Sequence, residues 1–283
     1  MKEKYHKKVF KIGLSMGEIC HHRKNNGGCI FCLPETFTDN IKSKSISEQI
    51  DYLLPKMKKH SDIFIAYFQD ETSFDLDFEI FKTKIKSVLN YDEIKEITIS
   101  TRPDVLKIKH LDFLSELNFD VNIEIGVQTV NDESLRFLNR GHTFSDIKNA
   151  INILKNYDFR IGTHLILGIP NETFEDNLNT INYLNSQNID EIKIHNLVAY
   201  KGTKLGKMIS NSEVELLNFD GYLGLLAKII PYIKSEIVIS RLFTSNVNRT
   251  GTAIKSFPGY KKDWMNKLVH LMNEKDIFQG QKN

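Results

Sequence analysis

The sequence predicts an α/β protein built on a partial (β/α)6 barrel with a short C-terminal extension. Six short apolar stretches recur along 283 residues, and each is followed by a segment of helical character. Strand–helix alternation of this kind builds parallel sheets. Within the stretches, apolar and polar residues alternate, so one face of each strand can pack on helices while the other is polar. No internal repeat, low-complexity tract or Pro/Gly-rich linker interrupts the pattern. Residues 1–205 are assigned to the barrel and 206–283 to an extension packing on it.

The strands, in order, are VFKIGL (Val9–Leu14), IFIAYF (Ile63–Phe68), EITIS (Glu96–Ser100), VNIEIGV (Val121–Val127), IGTHLILG (Ile161–Gly168) and IKIHNL (Ile192–Leu197). Between them, Phe144–Tyr157 brings Ile147, Ile151 and Leu154 onto one helical face. Ser47 is expected to cap the helix after it, and Asn171 or Thr173 a later one. In the fourth strand Val121, Ile123, Ile125 and Val127 share a face, opposite Asn122, Glu124, Gly126 and Gln128. Ile97 and Ile99 likewise oppose Thr98, Ser100 and Arg102, and Ile192 and Ile194 oppose Lys193 and His195. His164 shares its face with Gly162, Ile166 and Gly168. An ordinary closed barrel fills its interior with branched apolar residues; this one is built to hold a polar ligand. A two-layer sheet with one wet face would alternate in the same way, but the helix-length connections argue for the barrel.

Hydrophobic residues make up 41% and charged residues 26% of the chain, as in ordinary globular proteins. No run approaches the roughly 18 apolar residues of a membrane span, and MKEKYHKKVF lacks the apolar core of a signal peptide. The expectation is a cytoplasmic protein with no membrane partner, whose thiols are reduced. A net charge of +2 names no partner. Lys2, Lys4, Lys7 and Lys8 at one end, and Lys255, Lys261, Lys262 and Lys267 near the other, form either a solvated face or a patch for nucleic-acid phosphates.

All three cysteines of the chain, Cys20, Cys29 and Cys32, lie in the loop of residues 17–37 after the first strand. In a parallel barrel that is the C-terminal mouth, where active sites sit. Gly27 and Gly28 allow a tight bend just before Cys29. A structural zinc needs four ligands, and His21 or His22 would have to supply the fourth in awkward geometry beside Cys20. Inert buried thiols would not all fall in one Gly-rich loop. A [4Fe–4S] cluster takes four cysteines; three leave one iron open to the amino and carboxylate groups of a methionine-like chelator. With no cysteine elsewhere, a second Cys-ligated cluster and a separate catalytic thiol are excluded.

These residues, with several further motifs, resemble the radical S-adenosylmethionine (radical SAM) enzymes. GGCIFC resembles the cluster loop of a bacterial group related to the radical domain of the Elongator catalytic subunit. TRPD (Thr101–Asp104), IEIGVQTVNDESLRFLNRGHT (Ile123–Thr143), HLILGIPNET (His164–Thr173), KGTKL (Lys201–Leu205) and FQGQ (Phe278–Gln281) follow in that group's order. The resemblance implies that Cys20, Cys29 and Cys32 ligate a [4Fe–4S] cluster, which cleaves S-adenosylmethionine (SAM) to a 5′-deoxyadenosyl radical. It implies that Gln128 and Arg140 contact SAM's polar parts. Arg140 suits the methionyl carboxylate as a bidentate partner, the alternative for it being a surface salt bridge. Phe68, Gln69, Asp70, Glu71 and Thr72 would meet the methionyl amino group at the end of the second strand, and Gly168, Ile169 and Pro170 would line the adenine. Ser100 stands where Elongator-type domains carry a glutamate before TRPD, and QDETSF replaces a stretch richer in Tyr and Asn.

On the substrate side, Glu124, His164, His195 and Arg241 are polar and are expected inward or near the mouth, each either touching substrate or satisfied in a structural role. Some members of the group convert the 5-carboxymethylaminomethyl side chain of tRNA wobble uridine to 5-aminomethyl. The resemblance therefore implies tRNA as partner, with an electron donor such as flavodoxin or ferredoxin. A base-modifying enzyme must reach an unstacked nucleotide, and a basic rim would hold the flanking phosphates. The extension of residues 206–283 is expected to be too short for the Elongator acetyltransferase domain, which argues against an acyl-CoA reaction. Two rivals stand beside this reading: a radical SAM enzyme acting on a small metabolite such as a porphyrin precursor, and a non-catalytic Fe–S or zinc protein that binds RNA.

Overall fold

A computed structural model describes residues 7–36, 43–69, 72–244, 251–255 and 257–283. The chain divides into two compact units. The first comprises Met1–Gly27, Phe37–Gly126 and Lys148–Ile161; the second comprises Gly28–Thr36, Val127–Ile147 and Gly162–Asn283.

The first unit carries β1 (Val9–Leu14), α1 (His21–Asn26), α2 (Ile46–Met57), β2 (Ile63–Phe68), α3 (Phe78–Val88), β3 (Ile94–Thr101), α4 (Ile108–Ser115) and most of β4 (Asp120–Gln128). β1, β2, β3 and β4 pair in sequence, all parallel. In register, Gly13 lies beside Tyr67, Tyr67 beside Thr98, and Ser100 beside Glu124. The first two strands end where the sequence pattern ends; β3 begins earlier because Ile94, too, is buried. Ile97, Ile99, Val121, Ile123 and Ile125 are buried on the apolar side, with the alternation setting the face.

Ser45, and not Ser47, caps α2. Its side chain accepts from the Glu48 N–H while the Glu48 carboxylate accepts from the Ser45 N–H. That reciprocal box requires Ser and Glu three residues apart. Ser47 has Ile50 at that spacing and falls inside the helix. Asp77 caps α3. Between α3 and α4, His110 sits in a nest of Phe74, Phe78 and Phe81 and its Nε2 lies 3.1 Å from the Leu76 carbonyl oxygen.

The second unit carries α5 (Asp132–Phe137), the start of α6 (Phe144–Leu154), most of β5 (Arg160–Leu167), α7 (Phe174–Asn185), β6 (Glu191–Asn196), β7 (Ala199–Tyr200), α8 (Lys204–Ser210), α9 (Phe219–Ile229), β8 (Val238–Arg241), β9 (Ala253–Lys255) and α10 (Lys261–Glu274). β5 pairs parallel with β6, and β6 with β8. Within this unit the strand order is β5-β6-β8. β8 is a seventh strand beyond the six in the sequence pattern. Its four residues, VISR, alternate between exposed and half-buried, and none is fully buried. Thr173, the second of the two candidates, caps α7 with a box closed by Asp176. Asn171 has φ 70°, a conformation incompatible with an N-cap.

The C-terminal tail is tied down by its own polar groups. Gln279 Nε2 donates to the carbonyls of Lys234 and Ile237, at 2.6 and 2.7 Å. The Lys282 N–H reaches Pro231 O, and Asn283 Nδ2 reaches Tyr232 O. The FQGQ motif is thus a docking device: Gln281 closes its own turn on Phe278 and Asp276. No helix among the described residues is long and apolar enough to cross a membrane.

Candidate active site

Cys20 belongs to the first unit and is buried; Cys29 and Cys32 belong to the second and are half-buried. None is in a disulfide. Among the described residues, no group of three or more His, Cys, Asp or Glu is drawn together as a metal site.

Cys20 precedes α1, and its carbonyl accepts the N–H groups of Arg23 and Lys24. Of the two histidines beside it, His21 turns its Nδ1 to Asp75 Oδ2 at 3.1 Å. Thr72 Oγ1 donates to the same oxygen at 2.7 Å. The position expected at the methionyl amino group therefore shares a carboxylate with the residue next to Cys20.

In the second unit the chain enters the thiol loop through Gly28, at φ 74°, where a side chain would be strained. The Cys32 N–H donates to Cys29 O at 3.1 Å and closes the CxxC turn. Three bonds then fasten the turn from outside. Ile30 N–H donates to Leu138 O, Leu205 N–H donates to Ile30 O, and Asn139 Nδ2 donates to Gly28 O. Ile30 itself is buried with Leu138, Ile166, Ile169 and Leu205. This explains two of the motifs: NRGHT and KGTKL supply the partners of the thiol loop. Two of the three partners are backbone groups of Leu138 and Leu205, which carry no residue signature, so their role was not legible in the sequence; the third is the Asn139 amide.

Arg140 is only 7% exposed, so it is no surface ion pair. Its Nη1 donates to Cys29 Sγ at 3.1 Å. Gln128 ends β4 with φ 68°, an uncommon conformation for a residue with a side chain. Such strain is found where a fold presents a group. Behind it, Thr129 Oγ1 donates to Glu172 Oε1 at 2.7 Å and Asn131 Nδ2 to Asp176 Oδ1 at 2.9 Å. These bonds join the Gln128 segment to the turn after Gly168–Ile169–Pro170. Burial raises the Glu172 carboxyl above its ordinary range, against the lowering effect of the Thr129 and Ser134 hydroxyls.

Gly168 lies at φ 78°. It borders a small opening shared with Leu167, Asn196, Leu197, Leu217 and Phe257. A Cβ on Gly168 would come within 2.7 Å of Leu217 Cδ1. Ile169 is buried beside Ile30, and Pro170 is half-buried. In the first unit Phe68 is buried, and the Gln69 amide lies against Gly13, 2.9 Å from where a Cβ would stand. Asp70 and Glu71 lie outside the described residues. The TRPD motif is an internal fork: buried Arg102 grips Asp104 through Nε and Nη2, each at 2.9 Å.

Glu124 is buried and paired with Lys11 Nζ at 3.2 Å. Ser100 Oγ lies 3.1 Å from Glu124 Oε2 and 3.1 Å from Tyr67 Oη. One layer down, burial raises the Glu96 carboxyl, opposed by the charge of Arg160 at 3.3 Å. Sequence alternation put Ser100 and Glu124 on polar faces; it gave no sign of Lys11 or Tyr67, which strand register brings to them. In the second unit His164 and His195 stack at 5.4 Å between ring centroids. Arg241 ends β8, and its charge, after burial, depresses the Lys261 ammonium pKa. Lys2 and Lys4 lie outside the described residues.

Residues 14–184 match the radical SAM superfamily profile, and residues 189–274 match the radical SAM C-terminal domain. The chain belongs to the radical SAM superfamily. An uncharacterized protein of Methanocaldococcus jannaschii is 32% identical over 291 residues, covering 99% of this chain and 89% of its own length. The tRNA uridine(34) acetyltransferase of the same organism is 29% identical over 182 residues, covering 63% of this chain and 32% of its own. Among solved structures, the archaeal Methanocaldococcus infernus Elp3 with an N-terminal deletion matches at a TM-score of 0.75 and 16% identity. That match covers 95% of this chain and 63% of the Elp3 chain, and it shows the fold: an α/β partial barrel with a C-terminal extension. Together the relatives support an Elongator-like radical SAM group.

This radical SAM protein is an enzyme whose family uses a [4Fe–4S] cluster and S-adenosylmethionine. The donor set fits the cluster: thiols outside any disulfide, two of them on one turn that protein bonds fix, with a guanidinium on a sulfur.

Proposed function

We propose that this enzyme modifies tRNA at the wobble uridine, removing the carboxymethyl group of 5-carboxymethylaminomethyluridine to leave 5-aminomethyluridine. The observation that carries this reading is similarity, along 63% of the chain, to a relative named for acting on tRNA uridine 34. Cys20, Cys29 and Cys32 hold the cluster. When bound, cluster and SAM supply the radical that takes a hydrogen from the substrate side chain. The chain's own residues bind and orient. Gln128 and Arg140 hold SAM's polar parts, the segment Phe68–Thr72 its amino group, and Gly168, Ile169 and Pro170 its adenine. Glu124, His164 and His195 face the substrate. Arg241, whose charge bears on Lys261, meets the RNA phosphates. A flavodoxin or ferredoxin supplies the electron, and the enzyme works in the cytoplasm.

Nucleoside mass spectrometry of bulk tRNA from cells lacking the gene, beside their parent, tests the reading. The expected result is accumulation of 5-carboxymethylaminomethyluridine and loss of its shortened derivatives. An identical nucleoside profile overturns it and moves the substrate to a small metabolite.

A further inference from the structure

The polar face of β1 to β4 carries a charge pair that the cluster and SAM do not account for. Glu124 has no exposed side-chain surface, whereas Lys11, its partner at 3.2 Å, keeps 35% of its side chain accessible. The two charges are therefore unequally anchored. The carboxylate is fixed in the sheet and hydrogen-bonded by Ser100. The ammonium arrives on a flexible stem from the open side. Its Nζ lies 4.9 Å from the centre of the Tyr67 ring, a face that also attracts cations. A buried carboxylate needs a compensating partner, and the one that Lys11 supplies sits on a partly accessible side chain.

A second observation lies on the same face. Asn122, two residues before Glu124 and beside Thr98 in register, is 1% exposed. Neither its Nδ2 nor its Oδ1 has a partner among the described residues. Buried amides are ordinarily bonded, and an unpaired donor and acceptor side by side mark a place for a ligand's polar atoms.

We infer that Lys11, Glu124 and Asn122 form a recognition site for a zwitterionic group of the N-alkylglycine class, an ammonium one methylene from a carboxylate. The substrate ammonium takes the place of Lys11 at Glu124 and over Tyr67. Lys11, released, turns to the substrate carboxylate, and Asn122 supplies an amide hydrogen bond. Each charge of the ligand meets its opposite, so the site stays neutral when filled. The inference rests on the reading above, since the carboxymethylaminomethyl side chain is such a zwitterion, and it names the residues that would tell it from its product.

The test is affinity of the reconstituted holoenzyme, with its cluster oxidised so that no turnover occurs, for three anticodon stem-loops. Their wobble uridines carry carboxymethylaminomethyl, aminomethyl or carboxymethyl groups: both charges, the ammonium alone, or the carboxylate alone. The wild type should prefer the first over each of the others by about tenfold or more. Lys11→Met should abolish preference over the aminomethyl RNA, and Lys11→Arg should restore it. Glu124→Gln should abolish preference over the carboxymethyl RNA. The double variant Lys11→Met with Glu124→Gln removes both charges together, keeps the interior neutral, and should lose both preferences. Merely structural roles would shift melting temperature and leave the ratios alone; unchanged ratios in folded variants overturn the inference. Failure of the tRNA reading looks different, because none of the three RNAs would bind. In that case, millimolar N-methylglycine raising the melting temperature of the wild type, and not of the double variant, supports the site. No such shift, with no RNA bound, overturns it.

Discussion

Arg140 has two demands on one guanidinium. It donates through Nη1 to Cys29 Sγ, and the family resemblance gives it the methionyl carboxylate. Five N–H donors in a planar fork allow both at once. Arg140→Met should therefore weaken SAM binding about tenfold or more and also lower the iron retained per chain. Equilibrium dialysis with SAM and iron analysis check the two; unchanged SAM affinity would confine Arg140 to the thiol. Gly168→Ala puts a Cβ at φ 78° and 2.7 Å from Leu217 Cδ1. Leu217 can swing aside, since it is exposed, but the backbone strain stays. The expected cost is about 1 kcal/mol, read by denaturant titration, together with weaker SAM binding. At this scale the sequence was legible where a residue type is rare. Three cysteines in thirteen positions announce themselves, whereas Lys11 is one of many lysines and gains its place only through strand register.

Helices and strands set their own limits by short-range chemistry. Ser45→Ala should lower the melting temperature, because it opens the capping box of α2, while Ser47→Ala should leave it unchanged. The two look alike in sequence until the partner three residues on is considered. His110 gives a pH signature. Burial lowers its pKa from the ordinary 6.5, outweighing the raising effect of its bond to Leu76 O. Its Nδ1 has no partner among the described residues, so a proton there would be buried without compensation. A depressed folded pKa means that the unfolded chain binds the proton first. His110 thus costs nothing above about pH 6.5 and takes stability away as pH falls below it. Melting curves between about pH 8 and 5 should show that decline, and His110→Leu should remove its share of it. Five of the predicted strands were bounded to within one residue at each end because apolar alternation and burial coincide in them. The third begins two residues before its predicted start. β8 escaped because its four residues are too few, and too exposed, for a period to register.

Across the molecule, stability depends on groups far apart in sequence. The last residues bind the segment 230–237 through Gln279, Lys282 and Asn283, and Asn185 joins them through Tyr232 O. Deleting residues 278–283 should cost roughly 2–4 kcal/mol, several net hydrogen bonds at about 1 kcal/mol each. Denaturant unfolding of the truncated enzyme measures it. FQGQ was visible as a motif, but its partners were not, because they are backbone carbonyls.

The fastening of Ile30 between Leu138 and Leu205, and of Gly28 by Asn139, bears on how the enzyme matures. In small zinc domains, the metal supplies the folding energy and the apoprotein is unstructured. Here main-chain and amide bonds have shaped two of the three thiol positions, and their cost is met by a hydrophobic core that needs no iron. If Cys29 and Cys32 hold the cluster as proposed, a newly synthesised chain carries their turn already shaped before any iron arrives. On that reading the CxxC turn keeps its shape without the cluster, so a cluster lost to air would be rebuilt on it without refolding that loop.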